Sequence, residues 1–437
     1  MRMTELIDRK KRGLALTPEE LRWIVRGCTD GSIPDYQLAA WAMAVCFRGM
    51  DETETAVLTE AMADSGDRID LSALGDTTVD KHSTGGVGDK TTLIIGPIVA
   101  AAGGTIAKMS GRGLGFTGGT IDKLESIPGF RTALTTEAFR AQVQRIGLAV
   151  AGQTGHLAPA DKKLYALRDV TATVDCMPLI ASSVMSKKLA AGARSIVLDV
   201  KAGRGAFMTD MDGARALAER MVDIGRRCGR RMSALITDMD VPLGRAVGNA
   251  PEVAEAVQIL RGGGDTDLRN ICISLSGEML ALSLHRTPTE GRVLAERALN
   301  SGAAMQKMLQ WVEAQGGDPR ALTHDGLPKA KYVHTVTADR TGIVQTMDAR
   351  LVGEAAGLLG TARFRAGDPV DPAAGLILRK KPGEKIRPGE PLAELHTNRP
   401  DTLAAAEARF RSALTIGDKA PLARPVVMDI IREKKVP

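Results

Sequence analysis

The sequence predicts an α/β protein with three parts: a small α-helical domain, a large α/β domain with a mostly parallel sheet, and a C-terminal β-rich α+β domain. Three observations carry this. The first 65 residues read as capped, apolar-rich helices. After Gly75 short β-like runs alternate with helical stretches, the pattern of a parallel sheet covered by helices. From Lys331 onward the pattern changes to short alternating runs punctuated by Pro382-Gly383 and Pro388-Gly389. The predicted domains are 1–70, completed by about 160–192; 71–159 with 193–330; and 331–437.

Taken in order, Thr17-Pro18-Glu19-Glu20 is a capping box with proline at the first helical position. Tyr36 to Phe47 is dense in Ala, Leu and Met and stops at Arg48-Gly49, and Asp51 caps the next acidic helix start. A first strand is expected around Thr77 to Val79, then a loop from Asp80 to Asp89, a helix over Leu93 to Ala102, a turn at Gly103-Gly104 and a strand from Thr105 to Met109. A helix follows near Glu137 to Ile146. Residues near 165–192 turn helical and rejoin the N-terminal helices. Ser195 to Val200 and Ser233 to Thr237 read as strands around a helix from about Ala214 to Arg227. In the last region Gly375 to Glu390 looks like a biotinyl or lipoyl carrier hairpin, but Lys380 and Lys381 precede Pro-Gly in a charged turn rather than sitting at a tight hairpin tip. A solvated turn in a structural β domain is the expected reading, with no organic cofactor.

Residues 80–125 hold two glycine-rich polar loops, with eleven glycines in 46 residues, too many for connection alone because each costs backbone entropy. Both loops follow predicted strands, where open α/β sheets bind ligands. Glycine lets main-chain N–H groups approach an anion, and the interleaved hydroxyls and lysines add donors. The pattern predicts a phosphate cradle. Two familiar phosphate motifs fail here. Gly85-Gly86-Val87-Gly88-Asp89-Lys90-Thr91 lacks the glycine that a P-loop places directly before Lys-Thr, and Asp89 would face a triphosphate. Gly113-x-Gly115-x-x-Gly118 lacks the acidic residue expected about 20 positions on, and Pro128-Gly129 interrupts the expected helix.

Composition narrows the class. A chain of 437 residues has ample core for two or three domains. Aromatics are 3% of residues, too few for base-stacking platforms, and the net charge of +6 is dispersed among acids, so an anionic small substrate is expected rather than nucleic acid. Five cysteines without CxxC spacing read as reduced thiols. With no signal segment and no apolar run of membrane-spanning length, the expected compartment is the cytoplasm.

The strings Lys81-His82-Ser83-Thr84-Gly85-Gly86-Val87-Gly88-Asp89 and Ser110-Gly111-Arg112-Gly113-Leu114-Gly115-x-Thr117-Gly118-Gly119-Thr120-x-Asp122-Lys123-x-Glu125 carry more than composition. Together with Gly152 to Gly155, Leu157 to Val174 and Ser182 to Lys188, they resemble the thymidine and pyrimidine-nucleoside phosphorylases. The resemblance runs from Leu6 to Arg424-Pro425. One departure is Phe116, where the family usually shows His.

The resemblance implies reversible phosphorolysis of uridine, thymidine and deoxyuridine by a homodimer, with phosphate and nucleoside on opposite walls of a cleft that closes by hinge motion. It places Lys81, His82, Ser83, Thr92, Lys108, main chain near Met109, Ser110 and Thr120 around phosphate. Arg168, Ser183 and Lys187 grip the pyrimidine, with Tyr165 one turn before Arg168 in support. His82, Arg168 and Lys187 are the implied catalytic residues, His82 donating toward the base O2. Potassium is implied at Gly88, Lys90, Leu243, Ala246 and Glu255; Lys90 departs from the usual Thr, and two outcomes stay open, a main-chain carbonyl there still ligating the ion, or the lost hydroxyl or the nearby ammonium weakening or replacing it. The alternatives are a strictly 2′-deoxy thymidine phosphorylase, an anthranilate-type phosphoribosyltransferase and a non-enzymatic nucleoside-binding regulator.

Overall fold

The computed structural model describes residues 1–113, 115–116, 118–152, 156–363 and 368–432. Leu114 and Thr117 of the second glycine string, and positions 153–155 of the motif after it, lie outside the described residues.

Four helices open the chain: α1 (Met3–Lys11), α2 (Pro18–Asp30), α3 (Asp35–Arg48) and α4 (Glu52–Ala63). The capping boxes at Thr17 and Asp51 both close, each N-cap side chain accepting from the N3 amide while the N3 glutamate accepts from the N-cap amide. Glu54 of the second box also receives the Lys10 ammonium at 2.8 Å, so one buried carboxylate caps α4 and ties it to α1. The bundle is completed from later in the chain by α8 (Pro159–Asp169) and α9 (Met177–Ala190), which follow α5 (Thr91–Ala101), α6 (Thr120–Glu125) and α7 (Thr136–Ile146). Ala160, Leu164 and Leu179 enter the same apolar cluster as Leu21, Ile24, Trp41 and Leu58.

The central sheet is built from β1 (Thr78–Ser83), β2 (Thr105–Ser110), β3 (Leu148–Gly152), β4 (Ser195–Ala202) and β5 (Arg231–Asp238). These five strands are mutually parallel, and a sixth, antiparallel, strand from the end of the chain gives the order sixth-β5-β4-β1-β2-β3. One face is covered by α5, apolar after its opening Thr91-Thr92, by α11 (Ala250–Leu260) and α12 (Thr266–Ser283), and by α13 (Pro288–Asn300) and α14 (Ala303–Ala314). The opposite face is covered by α7, α9 and α10 (Met211–Arg227). Burial on both faces explains why β4 is buried at every position.

Beyond the short α15 (Arg320–Thr323), the C-terminal part holds two small sheets. One joins β6 (Ala246–Gly248), β9 (Gly375–Leu378), β11 (Pro391–Thr397) and β7 (Tyr332–Thr337), and the other joins β10 (Lys385–Ile386), β8 (Gly342–Met347) and β12 (Leu414–Gly417). Helices α16 (Ala349–Ala356) and α17 (Leu403–Ser412) pack together beside them. Lys381, read as part of a carrier-like turn, is buried with its ammonium 3.4 Å from Asp265, and Lys380 pairs with Glu390 at 2.9 Å.

Three expectations need correction. The first strand does not stop at Val79: β1 continues through Lys81, His82 and Ser83, because β4 runs alongside and pairs His82 with Leu198 and Ser83 with Asp199. Polar side chains there resemble a loop in the sequence, yet they stand at the strand's exit. The boundary at 331 is crossed in both directions. β6, at 246–248, joins a C-terminal sheet through β9, while β13 (Val427–Arg432) returns to become the antiparallel edge of the central sheet against β5. β3 carries small residues, Ala149 and Ala151, and gave no strand signal in the sequence.

The middle of the free edge of β3 is closed by the Gln315 side chain, while Gln142 donates to Leu148 O at 3.0 Å. Gln315 accepts from Val150 N at 3.2 Å and from Trp311 Nε1 at 2.6 Å, and donates to Val150 O at 2.9 Å and Arg131 O at 2.7 Å. It thereby substitutes for a neighbouring strand. Gln315→Ala leaves several buried main-chain and indole groups unpaired and is expected to cost ~2 kcal/mol or more. The urea unfolding midpoint should fall accordingly, and an unchanged midpoint would contradict this account of the edge.

Candidate active site

A cleft of about 700 Å³ lies at the carboxyl ends of β1 and β2. Its floor is the exit of β1 (Lys81, His82, Ser83), the first glycine loop, Thr92 near the start of α5, the exit of β2 (Lys108, Met109, Ser110) and Thr120 at the start of α6. All eight residues expected around phosphate therefore border one space. Tyr165 from α8, Phe207 from the β4–α10 connection and Arg350 from α16 form its other walls.

Behind the floor sits a buried network of lysines and aspartates. Asp80 receives Lys188 at 2.8 Å and approaches Lys108 at 3.4 Å, and it also accepts the Lys81 amide at 2.7 Å. Lys108 donates to the carbonyl of Lys81, and Lys188 to that of Met109 at 3.0 Å. The Lys81 ammonium is held by Thr91 Oγ1 at 2.6 Å and Asp199 at 3.2 Å, while Lys201 meets the same Asp199 oxygen at 2.8 Å. Burial works against the Asp80 and Asp89 carboxylates, but adjacent lysines outweigh it. Lys108 and Lys188 lower the pKa of Asp80, and Lys81 and Lys201, with hydrogen bonds from Ser83 and Thr91, hold Asp89 well below the usual carboxylate range.

Two cleft groups respond the other way. Burial pushes the Lys108 ammonium down; Asp80 opposes this, Lys188 and Lys81 add to it, and the pKa settles at about 7. Burial also pushes His82 well below its ordinary value, reinforced by the charges of Lys188, Lys108, Lys187 and Lys81. His82 is a neutral imidazole at neutral pH, a hydrogen-bond donor rather than a charged acid.

The second glycine string is organised around Asp122, which accepts from Gly113 N at 2.8 Å and pairs with Arg363 at 2.8 Å and Arg112 at 3.2 Å. Phe116 lines the cleft, and the Arg350 guanidinium lies over its ring, 5.5 Å from the centroid. An aromatic ring holds the cation where an imidazole would offer a polar edge.

The residues expected to grip a base stand apart from the cleft floor. Ser183 and Lys187, one turn apart on α9, hydrogen-bond each other at 3.1 Å, and Lys187 also pairs with Asp161 of α8. Arg168 is 2% exposed and donates to the carbonyls of Thr173 (3.0 Å), Leu179 (3.1 Å) and Val174 (2.6 Å). The structure thus does not bring Arg168 into the cleft. Its guanidinium satisfies the turn between α8 and α9, where Ala172 takes a φ of +54°, and one N–H on each terminal nitrogen remains.

Three of the positions expected around potassium, Leu243, Ala246 and Glu255, meet at the side chain of a fourth, Lys90. Its Nζ donates to Leu243 O at 2.8 Å, Ala246 O at 2.8 Å and Glu255 Oε2 at 2.6 Å. Gly88 O accepts the Lys90 amide at 2.9 Å. Gly88, at a φ of +74°, lies so close to the segment before β6 that an added Cβ would stand 2.5 Å from Leu243 O.

The site extends to residues that single-sequence reading passed over: Asp199, Lys201, Lys188, Asp161 and Arg350. A signal existed for two of them, because charged residues in the apolar β4 run, Ser195–Ala202, must be paired. Lys188 and Asp161 lay unremarked inside the strings already quoted.

Comparison with known proteins agrees with this geometry. The helical bundle domain and the a/b domain of the glycosyl transferase family match residues 4–66 and 75–305, and the pyrimidine nucleoside phosphorylase C-terminal domain matches 343–417. A pyrimidine-nucleoside phosphorylase of Geobacillus stearothermophilus is 53% identical over 401 residues, covering 91% of this chain and 93% of the relative. That of Staphylococcus aureus (strain USA300) is 48% identical over 420 residues, covering 96% and 97%. The chain belongs to the pyrimidine-nucleoside phosphorylase family. Among solved structures, anthranilate phosphoribosyltransferase from Thermus thermophilus shares the fold, with a TM-score of 0.57 at 19% identity over 71% of this chain and 98% of that one. The lysine-rich floor described above gathers positive charge at the carboxyl ends of β1 and β2.

An anion bound there favours the protonated Lys108, raising its pKa above the free value of about 7. Affinity is therefore full below that value and falls as pH rises through it, by up to about tenfold per unit until the bound pKa is reached. Sulfate, dianionic throughout, isolates this from phosphate's own ionisation. Calorimetric sulfate titrations between about pH 6 and 9 should weaken in this way, with Lys108→Met removing the slope. A flat profile in the unaltered protein would refute the linkage.

Proposed function

We propose that the chain is a pentosyltransferase that catalyses reversible phosphorolysis of pyrimidine nucleosides (uridine, thymidine and deoxyuridine) to free base and (deoxy)ribose 1-phosphate. The supporting observation is the convergence of Lys81, Ser83, Thr92, Lys108, Ser110 and Thr120 on one cleft that faces Tyr165 of α8. Phosphate sits on this floor, helped by the N-terminal amides of α5. The glycosidic bond breaks with its electron pair passing to the base, and a phosphate oxygen bonds to the oxocarbenium-like C1′. His82, neutral, donates a hydrogen bond to the base O2. Lys187 and Ser183 meet the base as its negative charge grows, so their contacts strengthen in the transition state. Hinge closure brings α8 and α9 toward the floor, and the two free N–H groups of Arg168 reach the base from its anchored position.

The same reading takes the enzyme as a cytoplasmic homodimer. Among the described residues no helix is long and apolar enough to cross a membrane, and the five cysteines are free. Tyr36 and Phe47, both strongly exposed, lie on one face of α3 three turns apart and support self-association through the helical domain.

Base release from uridine and thymidine, followed with and without phosphate, tests the reaction. Release should require phosphate, with kcat/KM for the two nucleosides within about a hundredfold, as a pocket difference of about 1–3 kcal/mol allows. Phosphate-independent release, or turnover of purine nucleosides alone, would overturn the assignment. A thymidine preference far beyond that range in both the native protein and Phe116→His would favour the strictly 2′-deoxy alternative.

The two basic residues should differ. Lys187→Ala is expected to lose roughly a hundredfold in kcat/KM, as for one lost oxyanion-type donor, with calorimetric phosphate affinity kept. Arg168→Ala should lose activity and also lower the thermal midpoint, because three carbonyls lose their donor. Native rates in Lys187→Ala would remove it from the base site.

A further inference from the structure

We propose that the Lys90 ammonium is a built-in cation that replaces the potassium ion implied at this place and positions the phosphate floor. The donor set carries the argument. An ammonium has three N–H donors and no acceptor, and here all three are spent, on two main-chain carbonyls and one carboxylate at 2.6–2.8 Å. Lys90 is fully buried, and Leu243, Ala246 and Glu255 are each at most 6% exposed. Glu255 also accepts from the amides of Arg245 at 2.6 Å and Ala246 at 2.9 Å. A second monovalent cation among the same oxygens would face the ammonium without water between them, so the residues present do not fit potassium.

The location gives the charge its role. Lys90 immediately precedes α5, so it fixes the helix start between two groups of the phosphate floor: Thr91, which holds Lys81, and Thr92, which lines the cleft. Its three oxygen partners belong to the segment 243–255, on the far side of the first glycine loop from the cleft. Val87 O and Leu243 N bond at 3.0 Å beside it. A parallel link lies one turn away on α11, where Glu252 pairs with Lys123 at 3.1 Å and Lys123 also donates to Asp89 O at 3.1 Å. Shortening Lys90 to threonine would leave two carbonyls and a buried carboxylate facing the space of the lost side chain, a site that demands a cation.

Thermal unfolding and phosphate KM, compared in potassium chloride and choline chloride at equal ionic strength, test this. The unaltered enzyme should give the same midpoint and a phosphate KM within about twofold in the two salts. Lys90→Thr should unfold earlier in choline and show a phosphate KM raised by about tenfold, both recovering in potassium, with nucleoside KM little moved. Lys90→Met, which fills the space without charge, should be impaired in both salts. The proposal is overturned if potassium specifically raises the midpoint or lowers the phosphate KM of the unaltered enzyme. It is equally overturned if Lys90→Thr matches the unaltered enzyme in choline. Should Lys90→Thr fail to fold, the unaltered enzyme in the two salts decides alone. The KM arm rests on the phosphorolysis reading. The thermal arm does not, so absence of turnover in every salt would count against that reading while the midpoints still decide the cation.

Discussion

The site depends on an imbalance of buried charge. Four lysines, Lys81, Lys108, Lys188 and Lys201, meet three aspartates, Asp80, Asp89 and Asp199, behind the cleft floor. Buried charges persist only when paired, and removing one partner from such a set is costly. Here the pairing is complete enough to hold the lysines in place and incomplete enough to leave a positive excess facing the cleft. Burial is the main cause of the depressed Lys108 pKa, with Lys188 and Lys81 adding to it and Asp80 opposing it. Burial likewise lowers the pKa of His82, and the same lysine charges reinforce it.

The parallel sheet makes this concentration of charge possible. Asp80 and Lys81 on β1, Lys108 on β2, and Asp199 and Lys201 on β4 are at neighbouring strand ends, in register through pairs such as Lys81 with Val197 and Ser83 with Asp199. Successive residues on a strand point to opposite faces, so Asp80 is drawn toward Lys108 and Lys188, and Lys81 toward Asp199 and Thr91. The glycine loops then need little charge of their own. Their contribution is close main-chain approach, as at Gly88, which a side chain would prevent.

The fold class and the cleft floor were legible in sequence because they rest on local signals: capping boxes, glycine density and alternating strands and helices. What escaped was set by tertiary partners. His82 and Ser83 look like loop residues, and only β4 beside them makes them strand. Arg168 is legible as a basic residue inside a motif, but nothing local reveals that three carbonyls from the following turn and α9 will anchor its guanidinium and leave it two N–H groups. β13 reads as part of the C-terminal domain because sequence proximity gives no hint that an edge of β5 is free to receive it. Asp199 shows the intermediate case: an acid within a buried apolar run announces a partner without naming it.

The two walls of the cleft are held in different ways. The floor is fixed from behind by buried lysine–carboxylate contacts from α11 and by a sheet covered on both faces, none of them open to water. The opposite wall, α8 and α9, belongs to the helical bundle, and α9 ties that bundle to the sheet twice over: Met185 shares an apolar cluster with β4 and β5 and Leu189 one with β2 and β3, while Lys188 reaches Asp80 and the Met109 carbonyl. In the proposed reaction the groups assigned to phosphate stand at the ends of the sheet strands, and those assigned to the base, Lys187 and Ser183, stand one turn apart on α9 and bond to each other, so that nucleophile and leaving group are held by different elements.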